Sequence, residues 1–89
     1  MYKASLIISI YDNIDFLRVI LDSLKHQTEK NIEIIISEDA RHEHVRHFIR
    51  QYPFENDHQH ITQEDRGWQK NKALNNAIRA AKSDWLIFI

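Results

Sequence analysis

Eighty-nine residues carrying twelve basic and thirteen acidic side chains, net charge −1, make at most one small domain with a modest core. The charges are intermixed, so no basic face points to nucleic acid, and the lack of cysteine excludes a disulfide framework and a thiolate zinc site. No apolar stretch approaches the length of a signal-peptide core or a membrane span, so a soluble, cytoplasmic chain is expected.

Ser5-Leu6-Ile7-Ile8-Ser9-Ile10 is an apolar run of strand length, closed by the polar Tyr11-Asp12-Asn13. A helix follows, with Asp12 and Asp15 placed to cap it and Leu17, Ile20, Leu21 and Leu24 at i, i+3, i+4, i+7 spacing. Lys25 and His26 are expected in its last turn, beside the negative end of the macrodipole, with a stop near Gln27-Thr28. Ile32 to Ser37 then reads as a nearly continuous apolar strand, which suits a parallel sheet covered on both faces. Strand, helix and strand make a βαβ unit with a right-handed crossover.

The second strand ends in Glu38-Asp39, and the carboxyl edge of an open α/β sheet is where ligands sit. Two readings of the pair stand side by side: the lip of a site, or the start of a turn that touches only water. A second helix is predicted over 41–52 from Val45, Phe48, Ile49 and Tyr52, ended by Pro53. His58 to Thr62 fits an edge strand. Gly67 is the one glycine of the chain and predicts a turn with positive φ. A third helix runs from Trp68 to about Lys82 with Leu74, Ala77, Ile78 and Ala81 on one face, and Trp85 to Ile89 reads as a buried strand. A core strand at the chain terminus holds its ligand-facing end without a loop, so the 89 residues are expected to be the front half of a nucleotide-binding α/β domain, cut after its fourth strand.

Taken in order, Ser9-Ile10-Tyr11-Asp12-Asn13, Leu21-Asp22-Ser23-Leu24 with Gln27-Thr28, Asn31-Ile32-Glu33-Ile34-Ile35, Glu38-Asp39, and Gly67-Trp68-Gln69-Lys70-Asn71-Lys72-Ala73-Leu74-Asn75-Asn76-Ala77-Ile78 leading to Trp85-Leu86-Ile87-Phe88-Ile89 resemble the amino-terminal half of family 2 glycosyltransferases of the GT-A fold. The likeness runs from Ala4 to Ile89, and it is the ordered set that is specific. Glu64-Asp65-Arg66-Gly67-Trp68 and the Lys-rich helix after it are most similar to the branch of bacterial polysaccharide-building transferases that includes chondroitin-polymerase-like domains. The fold implied is a three-layer, Rossmann-like α/β half-domain with a mostly parallel sheet of about four strands and three helices.

The resemblance implies a nucleotide-sugar donor, with uridine diphosphate as its nucleotide, and a glycan or lipid-linked acceptor in cell-surface polysaccharide synthesis, at the inner face of the membrane. It places Ile10, Tyr11, Asn13 and Asp39 around the nucleotide, with Asp39 accepting from the uracil N3–H, and Gly67, Lys72 and Asn75 around the sugar or diphosphate. Lys70 and Asn71 read as a solvated helix face. The family usually has proline before the strand-one aromatic and Gly-Ser after the acids, where this chain has Ser9-Ile10 and Ala40-Arg41, so a close backbone approach to the ribose at Ala40 is not implied. The Asp-x-Asp motif that would bind Mg2+ or Mn2+ is not in the sequence, and no catalytic residue is assigned to it. The implied reaction is an inverting displacement in which a carboxylate deprotonates the acceptor hydroxyl; residues 1–89 alone are expected to transfer no sugar.

Two rival classes are open. His42, His44 and His47, with His58 and His60 beyond them, raise a metal site against an exposed polar face. A non-catalytic α/β module that binds a nucleotide, or dimerises through uncovered strand edges around Phe88 and Ile89, is the other.

Overall fold

The computed structural model describes residues 2–27, 29–63 and 70–89, with the backbone alone at positions 70 and 71. Strands and helices alternate: β1 (Ala4–Ile10), α1 (Ile14–Leu24), β2 (Ile32–Glu38), α2 (Glu43–Gln51), β3 (His58–Thr62), α3 (Lys70–Ala80) and β4 (Leu86–Phe88). The strands form one parallel sheet in the order β3-β2-β1-β4. This is the three-layer α/β arrangement that the sequence predicts, with the strand order reversing between β1 and β4.

The alternation of side chains along each strand divides the molecule. Ile8, Ile10, Ile34 and Ile36 face one side, where Leu17, Ile20 and Leu21 of α1 and Val45 and Ile49 of α2 close over them. Ile7 and Ile35 face the other, against Ala77 of α3 with Leu74, Ala81, Ile61 and Leu86 at its border. Small residues let α3 lie close to the sheet: Ala73 and Ala77 are buried, and the Ser37 hydroxyl donates to the Ala73 carbonyl at 2.7 Å.

Several expectations are corrected. Asn13, not Asp12, caps α1: it directly precedes Ile14, and its Oδ1 accepts from the Phe16 amide at 2.9 Å, the geometry an N-cap requires. The helix ends at Leu24, and Lys25 to Gln27 close in tight turns onto the carbonyls of Asp22, Ser23 and Leu24, which leaves Lys25 and His26 beyond its last turn. The second helix starts at Glu43 because His42 is extended, its amide donating to Glu38 Oε2 at 3.0 Å. On α3, Ala73 takes the inward place expected for Ile78, which is 41 % exposed. The last strand is an edge and not a buried core element: Trp85, Ile87, Phe88 and Ile89 are all exposed, because β4 has β1 on one side and no strand on the other among the described residues.

The loop at Gly67, and the start of the third helix at Trp68, lie outside the described residues. No helix among those described is long and apolar enough to cross a membrane.

Candidate functional site

Parallel pairing sends the carboxyl ends of the strands to one edge. Ile10 pairs with Glu38 and Glu38 with Thr62, while Phe88 of β4 is level with Ile7. The Asp39 amide donates to the Ile10 carbonyl at 2.9 Å, carrying the β1–β2 ladder one residue past its last pair. Tyr11, Asp12, Asn13 and Asp39 therefore share a rim beside the reversal of strand order. Just below it Ser9 Oγ is buried without a hydrogen-bond partner among the described residues.

Neither acid of the Glu38-Asp39 pair touches only water. Both are buried, at 1 % and 0 % exposure, so although their backbone reaches the rim their side chains lie beneath its exposed residues. Being consecutive at a strand end, they turn to opposite faces. Glu38 goes to the α1–α2 side, where it accepts from the His42 amide at 3.0 Å and contacts His42 Nδ1 at 2.8 Å and His60 Nε2 at 2.9 Å. Burial pushes its carboxyl up, but the hydrogen bonds from His60 and His42 outweigh that and hold it below the ordinary carboxylate range.

Asp39 goes to the α3 side. Its Oδ1 accepts from Gln63 Nε2, and Gln63 Oε1 in turn accepts from Asn76 Nδ2 at 3.3 Å. Gln63 directly follows β3 and is buried, so strand β3 and helix α3 together orient the Asp39 carboxylate.

The lip is aromatic. Tyr11, 38 % exposed, stands edge-on to the His42 ring with centroids 5.4 Å apart, and His42 lies 5.4 Å from His44. His44 Nε2 contacts Asp12 Oδ1, which joins the start of α2 to the loop after β1. Three of the histidines are thus engaged with carboxylates. Among the described residues no three His, Cys, Asp or Glu side chains gather as a metal ion would need.

Of the residues singled out in the sequence, Ile10, Tyr11, Asn13 and Asp39 come together. Ile10 presents only backbone there, its side chain being in the core and its carbonyl bound to the Asp39 amide. Asn13 uses its Oδ1 on the α1 cap. Lys72 is exposed near the start of α3, next to the Ala73 that Ser37 binds. Asn75 is exposed and stands about 200° round the helix from Ala73, away from the sheet. Gly67 lies outside the described residues. Sequence reasoning missed Gln63 and Asn76, and the only available signal was a glutamine directly after a strand.

The profile of the family described as "Glycosyl transferase family 2" matches residues 5–89. The chain is 31 % identical over 83 residues to the "Hyaluronan synthase" of Pasteurella multocida, covering 92 % of this chain and 8 % of that protein. It is 33 % identical over 86 residues to the "Putative glycosyltransferase EpsH" of Bacillus subtilis (strain 168), covering 96 % of this chain and 24 % of that protein. The chain thus spans less than a quarter of the length of either relative. No solved structure matches it significantly. The parallel sheet, the rim at its reversal of order and a match over nearly every residue give one conclusion: the chain belongs to glycosyl transferase family 2.

Proposed function

We propose that residues 1–89 are the nucleotide-binding half of a GT-A domain in a transferase that moves a sugar from a uridine-diphosphate donor to a glycan or lipid-linked acceptor. The observation that carries this reading is the common rim, on which Asp39 is tied through its amide to Ile10 beside the exposed ring of Tyr11. A carboxylate there is an acceptor suited to the uracil N3–H, and an aromatic ring offers a face to the base. Lys72 is assigned to the diphosphate as a point charge. Relatives named for hyaluronan synthesis and for glycosyl transfer support a role in bacterial polysaccharide synthesis; we assign that synthesis to the cell surface and the donor site to the cytoplasm, at the inner face of the membrane.

In the reaction proposed for the whole protein the acceptor oxygen bonds to the anomeric carbon as the bond from that carbon to the diphosphate breaks, and a carboxylate base takes the hydroxyl proton. That base, and the ligands of a Mg2+ or Mn2+ ion, are assigned to other parts of the protein, so the 1–89 chain binds nucleotide and transfers no sugar. Calorimetric titration with UDP tests the binding. Asp39→Ala and the milder Asp39→Asn are expected to weaken it about tenfold or more, and unchanged affinity in a folded variant removes Asp39 from the site.

The alternative, a non-catalytic module dimerising through a strand edge, draws on the exposure of Trp85, Ile87 and Phe88 along β4. A clean monomer in sedimentation at high concentration argues against it.

A further inference from the structure

In the reading above Asp39 meets the base as a hydrogen-bond acceptor, so the way its carboxylate is held decides what it can pair with. Its side chain is fully buried, and Gln63, also buried, donates an amide N–H to Oδ1. A side-chain amide can present either its oxygen or its nitrogen, and which one faces Asp39 depends on what holds the far end. Asn76 donates to Gln63 Oε1 at 3.3 Å, which turns the Gln63 NH2 group toward the carboxylate. The backbone on both sides is fixed as well: the Asp39 amide is on the Ile10 carbonyl, and α3 is tied to β2 through Ser37 and the Ala73 carbonyl.

We infer that Gln63, oriented by Asn76, is a positioning and specificity-determining residue that fixes how the Asp39 carboxylate is presented to the base, and so sets the preference of this rim for uracil over cytosine. The inference rests on the nucleotide reading of Asp39. The chemistry is a matter of matching donors to acceptors. Uracil presents N3–H, which an ionised carboxylate accepts; cytosine presents a bare N3 lone pair, which it repels. A buried site built around one polarity rejects the opposite one strongly, because a group is left unpaired on each side. Gln63 takes no part in bond making and acts through Asp39.

The readout is the ratio of CDP to UDP dissociation constants for the 89-residue chain, by calorimetry at one fixed pH. Wild type is expected to favour UDP by about tenfold or more. In Gln63→Glu two carboxyl groups meet and share a proton, which supplies a donor; the ratio is expected to fall by about tenfold through loss of UDP affinity and gain of CDP affinity. Gln63→Met keeps the shape without the donor and is expected to weaken UDP several-fold, and Asn76→Ala does the same to a smaller extent. If Gln63→Glu does not fold, Gln63→Met decides alone. Wild-type UDP affinity and a wild-type ratio in the folded Gln63 variants overturn the inference. Asp39→Asn separates the two levels: if it changes neither nucleotide's affinity, the nucleotide reading itself fails, whereas an effect of Asp39→Asn with silent Gln63 variants overturns only the role of Gln63.

Discussion

The two faces of the sheet are built from the same strands and hold different things. On the α1–α2 face the sheet contributes isoleucines, and helix residues such as Leu17, Leu21 and Val45 close over them, all buried. On the α3 face the buried aliphatic cluster shrinks to Ile7, Ile35 and Ala77, with Ile61, Leu74, Ala81 and Leu86 only partly buried around it, and polar groups lie at both ends. At one end Glu33, 2 % exposed, accepts from Ser5 Oγ at 2.6 Å, from the Lys82 amide at 2.6 Å and from Gln59 Nε2 at 3.0 Å. At the other end Gln63 and Asn76 hold Asp39. The first face supplies cohesion, which is roughly proportional to apolar area; the second supplies position, which only directional bonds can give.

That contrast breaks most visibly on the apolar face. Leu17→Ala removes a fully buried side chain from the α1–α2 layer and is expected to cost about 2–5 kcal/mol, a large part of the stability of so small a domain; a denaturation midpoint within error of wild type contradicts it. On the polar face, Glu33→Ala strips the Lys82 amide, Ser5 and Gln59 of their acceptor and is expected to cost about 1–3 kcal/mol. Urea titration reads both, and the order of the two losses is the sharper check.

Acid should act on the carboxylates and spare the isoleucines. Burial raises the Glu33 carboxyl, but bonds from Ser5, the Lys82 amide and Gln59 hold it below the ordinary range, as His60 and His42 do for Glu38. The unfolded chain therefore binds more protons than the folded one in that window, and stability rises with pH there. The contribution of both groups is expected to be full above the ordinary Glu value of about 4.3 and to fade as the pH drops through and below it. Glu33→Gln and Glu38→Gln are each expected to flatten the acid limb of a stability-against-pH curve, and an unchanged limb in the double variant removes both groups as its source. The smallest effect belongs to Asn75→Ala, on the outer side of α3, expected within about 0.5 kcal/mol of wild type by thermal melt.

The sequence made the α/β order legible because β1 and β2 are runs of β-branched residues and α1 and α2 repeat their apolar positions every three to four residues. Partners across the chain were another matter. Nothing local shows that His42 and His60 converge on Glu38, 4 and 22 residues away, or that Gln63 reaches back 24 positions to Asp39. Those contacts come from the register β2↔β3 and from the side on which α3 crosses. The burial of the last strand was misread for a related reason: an apolar run shows that a strand can be covered and says nothing of whether a neighbour covers it. The place of Asp39 at a strand end was legible from the sequence, and its orientation was not.

Amide chemical-shift mapping with UDP on the 15N-labelled chain tests the central claim most directly, because the two ends of the polar face report separately. Shifts are expected at Tyr11 to Asn13, Asp39, Ala40 and Gln63, with the amides of Glu33, Lys82 and Ser83 unmoved. Shifts gathered around Glu33 and Lys82, with the rim silent at saturating UDP, would contradict the account.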